Sequence, residues 1–138
     1  MIENKFDLFI LIEDSSAEKL RYIEGRVDGA KLPFQAKEGE GWLSLIGEGM
    51  ELDECVSYLD MITQFSIIMS DNSNISYAIC SEKIVFTDTQ KDGKLDINAF
   101  PEAEKYKDVP AIELFYDEMN DFFKLFKAIS RLTHDKRD

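Results

Sequence analysis

The feature that most constrains the fold is an apolar run from Phe6 to Ile12, which only Asp7 interrupts. A run of this length fits one strand, and a strand without polar alternation is covered on both faces by other parts of the chain. We therefore predict a central strand here. The run is too short to cross a bilayer, which takes roughly 20 apolar residues, and no signal-peptide cleavage site follows it. We expect a cytoplasmic protein with no membrane partner.

Two segments have the periodicity of amphipathic helices. Ser15 and Glu18 match a capping box, so the first helix should begin there, and Gly29 should end it. The second helix begins near Glu51 and has one apolar stripe opposite a polar face. The residues of this stripe are Leu52, Cys55, Val56, Leu59 and Ile62. Periodicity leaves open whether Phe65 to Met69 continues the helix or forms a strand.

Several shorter segments have strand patterns. These are Leu32–Lys37, Trp42–Ile46, Ile75–Cys80, Lys83–Thr87 and Leu95–Ala99. A glycine-rich turn joins the first two, which predicts a hairpin. Gly47 and Gly49 should then break the chain before the second helix. The last two segments predict a second hairpin across Asp92 and Gly93.

The order of elements is βαββαβ followed by further strands, which predicts an α+β fold with a ferredoxin-like core. In that arrangement an antiparallel sheet has its helices on one face. We expect a β-hairpin and a long C-terminal helix, starting at Pro110, to extend this core. The apolar stripe of that helix continues to Leu132. The length fits one domain, which we place at residues 1–133, with residues 134–138 as a frayed tail.

Few residues have the chemistry of a catalytic or metal site. Cys55 and Cys80 lie in apolar patterns with no basic cluster near them in sequence, so we interpret both as buried structural residues. His134 is the only histidine and lies in the tail. The segment from Asp88 to Ala99 resembles an EF-hand calcium loop, but it lacks the closing bidentate Glu, and we interpret it as a hairpin tip. We expect no catalytic residues, no metal and no cofactor.

The charge distribution is the main functional signal. From Glu38 to Glu82 the chain has nine carboxylates and no Lys or Arg in 45 residues, which supplies −9 of a formal net charge of −12. A region of one sign repels nucleic acid and speeds encounter with a basic partner. We therefore expect a protein partner and no nucleic-acid partner.

Helix capping explains part of this acidic run. Glu48, Glu51, Asp53 and Glu54 fall at the start of the second helix, where the helix dipole stabilises carboxylates. The other carboxylates, which lie on the hairpin and on the polar face of the helix, are less well explained by the needs of folding. We predict a partner-binding site composed of Glu38, Glu40, Asp53, Glu54, Ser57 and Asp60, in which Glu38, Glu40 and Asp60 are the least explained by folding.

From these features we expect a non-enzymatic, acidic protein-binding module that acts as a cytoplasmic inhibitor. In size, charge and lack of catalytic groups it is similar in character to toxin-immunity proteins, so the expected partner is a basic protein such as a nuclease toxin. We expect a monomer or a weak homo-oligomer. Two alternatives remain open. One is a homo-oligomeric regulatory or scaffold domain, and the other is an enzyme that uses a carboxylate pair or a divalent cation.

Overall fold

The computed structural model describes residues 5–13, 16–69 and 74–115, together with Glu118 and Asp121. These residues form a mixed α+β structure. In chain order the elements are β1 (Phe6–Glu13), α1 (Ala17–Gly29), β2 (Gln35–Gly39), β3 (Trp42–Met50), α2 (Leu52–Met69), β4 (Asn74–Cys80), β5 (Val85–Thr87), β6 (Gln90–Lys91), β7 (Lys94–Leu95), a 3₁₀ helix (Pro101–Tyr106) and β8 (Ala111–Glu113).

Six of the strands form one sheet in the order β2-β3-β1-β4-β5-β8. Neighbouring strands are antiparallel, except that β8 runs parallel to β5. The central position predicted for the first strand is confirmed, because β1 pairs with β3 on one side and with β4 on the other. Its Ile10 lies between Leu45 and Tyr77 of those neighbours and is fully buried.

The two α-helices cover one face of the sheet. The side chain of Ser16 caps α1 by accepting a hydrogen bond of 3.2 Å from the amide of Lys19, so the helix begins one residue later than the predicted capping box. The segment from Phe65 to Met69 continues α2 as helix. The buried residues between helices and sheet include Leu8, Ile10, Ile12, Leu20, Ile23, Leu43, Leu45, Leu59, Ile62 and Ile79.

A second apolar cluster covers the opposite face of the sheet. The 3₁₀ helix lies in a segment for which the sequence predicts no helix or strand, and its Ala103 and Tyr106 are both buried in this cluster. The ring of Tyr106 packs edge-to-face on Phe9 with a centroid distance of 6.4 Å. The other buried members of this cluster are Ile46, Ala78, Cys80, Val85, Leu95 and Phe100. Both faces of β1 are therefore covered, which explains why its sequence is apolar throughout.

The first predicted hairpin is confirmed, with bounds that differ. Gly39 pairs with Trp42 across a two-residue turn. The strand β2 starts later than predicted, at Gln35, and β3 ends later than predicted, at Met50. Gly47 and Gly49 lie inside β3 and do not break it. An added Cβ at Gly47 would lie 2.1 Å from Cε of Met50 and 3.1 Å from the ring of Phe34, so the Met50 side chain would have to move.

The second predicted hairpin is wrong in its strands, although its turn is correct. Asp92 and Gly93 have φ values of 56° and 75°, which suits the tight turn that joins β6 to β7. These short strands form a separate two-stranded sheet. The hydroxyl of Thr87 accepts a hydrogen bond from the amide of Thr89, which turns the chain at the end of β5. The β5 strand instead pairs with β4 and β8.

The helix predicted to start at Pro110 does not start there. Residues 111–113 form β8, and the carbonyl of Pro110 accepts a hydrogen bond from Val85. Glu118 and Asp121 are helical. The rest of the predicted C-terminal stripe, the tail from His134 and the loop from Asp71 lie outside the described residues.

Candidate functional site

The six residues predicted to bind a partner fall at two separate places. Glu38 lies in β2 and Glu40 in the turn that follows, while Asp53 and Glu54 lie in the first turn of α2. The strand between these places, β3, is nine residues long, so roughly 26 Å separates its ends. The structure therefore divides the predicted set between the hairpin and the second helix.

The carboxylates of α2 differ in exposure, and one of them caps the helix. The side chain of Glu54 accepts a hydrogen bond of 3.1 Å from the amide of Glu51, which satisfies a donor at the helix start. Asp53 and Ser57 are exposed on the outer face, as predicted. Asp60, which the pattern places in water, is half-buried. This helix is a weaker candidate for the site than the hairpin.

Glu38 belongs to a cluster that also contains two carboxylates of α1. Its side chain meets that of Glu24, and Asp28 lies one helical turn further along α1. A hydrogen bond with the Glu38 side chain, then partial burial, then the charges of Glu38 and Asp28 raise the pKa of Glu24 to about 7. We call Glu24, Asp28 and Glu38 the α1–β2 carboxyl cluster.

No ion pair within the described part of the chain neutralises this cluster. Lys37 lies within β2, but its side chain is on the other face of the sheet, where its Nζ lies 3.4 Å from Oε1 of Glu102. Arg26 is placed over the ring of Phe65, 5.1 Å from the centroid. The buried Oε1 of Glu24 has no hydrogen-bond partner among the described residues. Glu24 therefore meets one carboxyl directly, that of Glu38, and lies near the charge of a second, that of Asp28, where a folded surface more often mixes charges of both signs.

The raised pKa of Glu24 determines how this cluster affects stability. A carboxyl whose pKa is higher in the folded than in the unfolded state favours folding while it is protonated. Its contribution is complete below the unfolded pKa of 4.5 and is lost as the pH rises through about 7. Above a pH of about 7 the Glu24 carboxyl therefore no longer contributes to stability.

The hairpin tip carries a partly exposed aromatic side chain on the sheet face opposite the cluster, because Trp42 alternates with the inward-facing Leu43. Trp42 is 38 % exposed, and its indole lies across Gly39, where an added Cβ would be 2.2 Å from Nε1. Glycine at position 39 is therefore needed for the observed position of the indole. A partly exposed tryptophan is a common anchor in protein interfaces.

A second polar centre surrounds Asp7, near the start of β1, and has a structural role. Asp7 accepts hydrogen bonds from the amide of Gly49 at 3.1 Å and from the hydroxyl of Tyr106. Its second oxygen also lies 3.4 Å from Nζ of Lys105. Burial, followed by the hydrogen bond and charge of Asp7, raises the pKa of Tyr106. This centre fixes the 3₁₀ helix to the sheet.

The cysteines and the calcium-like segment do not form a reactive site within the described ranges. Cys55 and Cys80 are both buried and unpaired with each other, as predicted, and burial raises the pKa of Cys55 to about 12. Asp88 accepts hydrogen bonds from the amide of Tyr77 and the hydroxyl of Thr89. In the same ranges no three His, Cys, Asp or Glu side chains are grouped as metal ligands would be.

Comparison with protein-family models, with curated proteins and with solved structures found no match. Among the described helices, none has the length and apolar content needed to cross a bilayer.

Sequence reasoning missed two members of the carboxyl cluster. Glu24 and Asp28 precede the acidic run, and basic residues lie around them in sequence. One signal was available, since like charges four residues apart in a helix are unfavourable. Their convergence with Glu38 depends on the packing of α1 against β2, which no local pattern specifies.

Proposed function

We propose that this chain is a non-enzymatic, acidic protein-binding module, an inhibitor or immunity-type protein that neutralises a basic partner such as a nuclease toxin in the cytoplasm. The observation that carries the proposal is the α1–β2 carboxyl cluster, in which the pKa of Glu24 is raised to about 7. Groups held in an unfavourable state by the fold are frequent at functional sites. A partner's Lys or Arg would remove the repulsion and gain ion pairs.

The surroundings of the cluster support recognition of a protein surface. Partial burial of Glu24 reduces screening by salt, so a cation placed beside it gains more than at a fully exposed site. Trp42 lies at the hairpin tip on the opposite face of the sheet, and it adds apolar area for a partner that reaches around the tip. Charge complementarity would speed association, and the aromatic contact would slow dissociation.

We also propose that β1 to β4 with α1 and α2 form a ferredoxin-like core, which a long C-terminal helix extends. The support is the strand order β2-β3-β1-β4, in which β3 lies between β1 and β2. That placement is typical of a split βαβ unit.

One alternative function has a specific observation in its favour. A carboxyl with a pKa near 7 beside a second carboxyl also has the properties of a general acid or base. Glu24→Gln separates the two functions, because it would abolish the activity of an acid–base enzyme. In a binding module it would only weaken association with basic proteins.

The proposed function predicts that association with basic nucleases depends on salt and on the cluster. At pH about 8, where Glu24 is mostly ionised, the association rate should fall steeply from about 0.01 M to about 1 M salt. The Glu24→Gln/Glu38→Gln variant should associate about tenfold more slowly at low salt. Stopped-flow fluorescence of Trp42 would report the rate.

A matched control distinguishes the cluster from net charge alone. Glu82→Gln/Glu104→Gln removes the same number of charges from exposed positions outside the cluster. This control should associate nearly as fast as the wild type. The proposed function would be contradicted by an association rate that does not change with salt, or by an equal decrease of the rate in both variants.

A further inference from the structure

The strand β2 is an edge of the sheet, and its outer side is unpaired within the described part of the chain. Its partner is β3, and the opposite edge is formed by β8. All of its residues are exposed except the half-buried Gly39. An edge strand with free backbone groups can accept a further strand from another protein.

The hairpin register identifies which backbone groups of β2 are free. Gly39 and Trp42 close a two-residue turn, so this pair exchanges both of its hydrogen bonds. The pattern alternates along an antiparallel ladder, which makes Lys37 the next residue bonded to β3. The N–H and C=O groups of Ala36 and Glu38 therefore point away from β3, toward the free edge.

The side chains along this edge show which chemistry a further strand needs. Ala36 and Glu38 face α1, where the α1–β2 carboxyl cluster lies. The side chain of Lys37 lies on the opposite face of the sheet and forms an ion pair with Glu102. In an antiparallel pair, residues directly opposite each other have their side chains on the same face. Residues of a partner strand opposite Ala36 and Glu38 would thus place their side chains beside the cluster.

A basic strand suits this edge better than a second copy of this chain. Antiparallel pairing of two β2 strands about Lys37 places lysine opposite lysine, and pairing about Glu38 places glutamate opposite glutamate. Like charges directly opposite each other are destabilising. Pairing about Ala36 places Phe34 opposite Glu38, which brings no cation to the carboxylates. A strand with Arg or Lys at alternate positions instead brings cations to the carboxylates.

We propose that an extended basic segment of a protein partner adds to β2 as an antiparallel strand, hydrogen-bonding to Ala36 and Glu38 and placing alternate Arg or Lys side chains beside Glu24, Asp28 and Glu38. This inference rests on the proposed function and specifies how the basic partner is held. The backbone groups supply the register, and the carboxyl cluster selects the charge.

Amide hydrogen exchange followed by NMR tests the register without any substitution. In the free protein the amides of Ala36 and Glu38 should exchange quickly, and those of Lys37 and Gly39 slowly. The probe is the peptide acetyl-Arg-Val-Arg-Val-Arg-Val-Arg-amide, whose arginines would face α1. At saturation it should slow exchange at Ala36 and Glu38 by about tenfold or more.

Two N-methylated peptides provide matched controls. In antiparallel pairing the arginine N–H groups bond to β2 and the valine N–H groups point away from it. N-methylation of the central arginines should weaken binding by about tenfold or more, whereas N-methylation of the central valines should leave it nearly unchanged. The Ala36→Pro variant, which removes an outward N–H without touching the bonds to β3, should weaken binding of the parent peptide similarly.

The outcomes separate this inference from the proposed function. Binding of the peptide without slower exchange at Ala36 and Glu38, or with equal effects of the two N-methylated forms, would overturn strand addition and leave a charge-based function standing. Absence of any peptide binding would also overturn strand addition. The proposed function fails separately, through the salt and variant tests with basic nucleases.

Discussion

The Phe9→Ala variant is expected to be about 3–5 kcal/mol less stable than the wild type. Phe9 is 4 % exposed and lies on the sheet face that is opposite the α-helices. Its ring packs on Tyr106 of the 3₁₀ helix, so truncation leaves a cavity and removes an aromatic contact. Urea unfolding followed by circular dichroism would give the free energy of unfolding.

Phe115→Ala is the matched control, because it removes the same side chain from a position that is 51 % exposed. Its cost should be within about 0.5 kcal/mol. If Phe9→Ala cost no more than this control, the 3₁₀ helix would not cover the sheet. The prediction therefore tests the second apolar layer directly.

The Asp7→Ala variant is expected to be about 1–3 kcal/mol less stable, because it removes the acceptor of the buried Tyr106 hydroxyl. The same truncation also breaks the ion pair with Lys105 and the hydrogen bond from Gly49. Asp7→Asn keeps an acceptor oxygen and should lose less. Thermal and urea unfolding of both variants would check the order.

A double-mutant cycle isolates the contact between Asp7 and Tyr106. Tyr106→Phe removes only the hydroxyl, so the two substitutions should cost less together than the sum of their separate costs. The difference should be about 0.5–3 kcal/mol, as for residues in direct contact. Strictly additive costs would show that Asp7 does not hold the 3₁₀ helix.

Local patterns predicted the elements whose determinants lie within one segment. The uniform apolarity of Phe6 to Ile12 indicated a strand covered on both faces, and the spacing from Leu52 to Ile62 indicated α2. The turn at Asp92 and Gly93 was also correct, since its positive φ values are a local requirement.

Pairing between segments distant in sequence could not be predicted in the same way. The 3₁₀ helix is short and surrounded by charged residues, and only Ala103 and Tyr106 among its residues are buried. The strand β8 follows a proline that fits a helix start equally well, and its partner β5 is more than twenty residues earlier. Such elements are determined by what they pack against.

The candidate site was predicted in part for the same reason. Glu38 was identified because it lies in a run without cations, and the structure places it in the carboxyl cluster. Glu54 turned out to cap α2. Glu24 and Asp28 required knowledge that α1 lies beside β2, which depends on the tertiary fold.

The central claim is that the fold holds Glu24, Asp28 and Glu38 near one another with no ion pair from the described residues, which makes this surface receptive to a basic partner. Carbon-13 NMR titration of the Glu24 carboxyl, assigned with the Glu24→Gln variant, measures this most directly. The expected pKa is about 7 in the free protein. It should fall in the Glu38→Gln variant, because that variant removes the carboxyl that both hydrogen-bonds to Glu24 and repels it. It should also fall on saturation with the arginine–valine peptide, because the peptide brings cations beside Glu24. A pKa near the ordinary glutamate value of about 4.3 in the free protein would contradict the account.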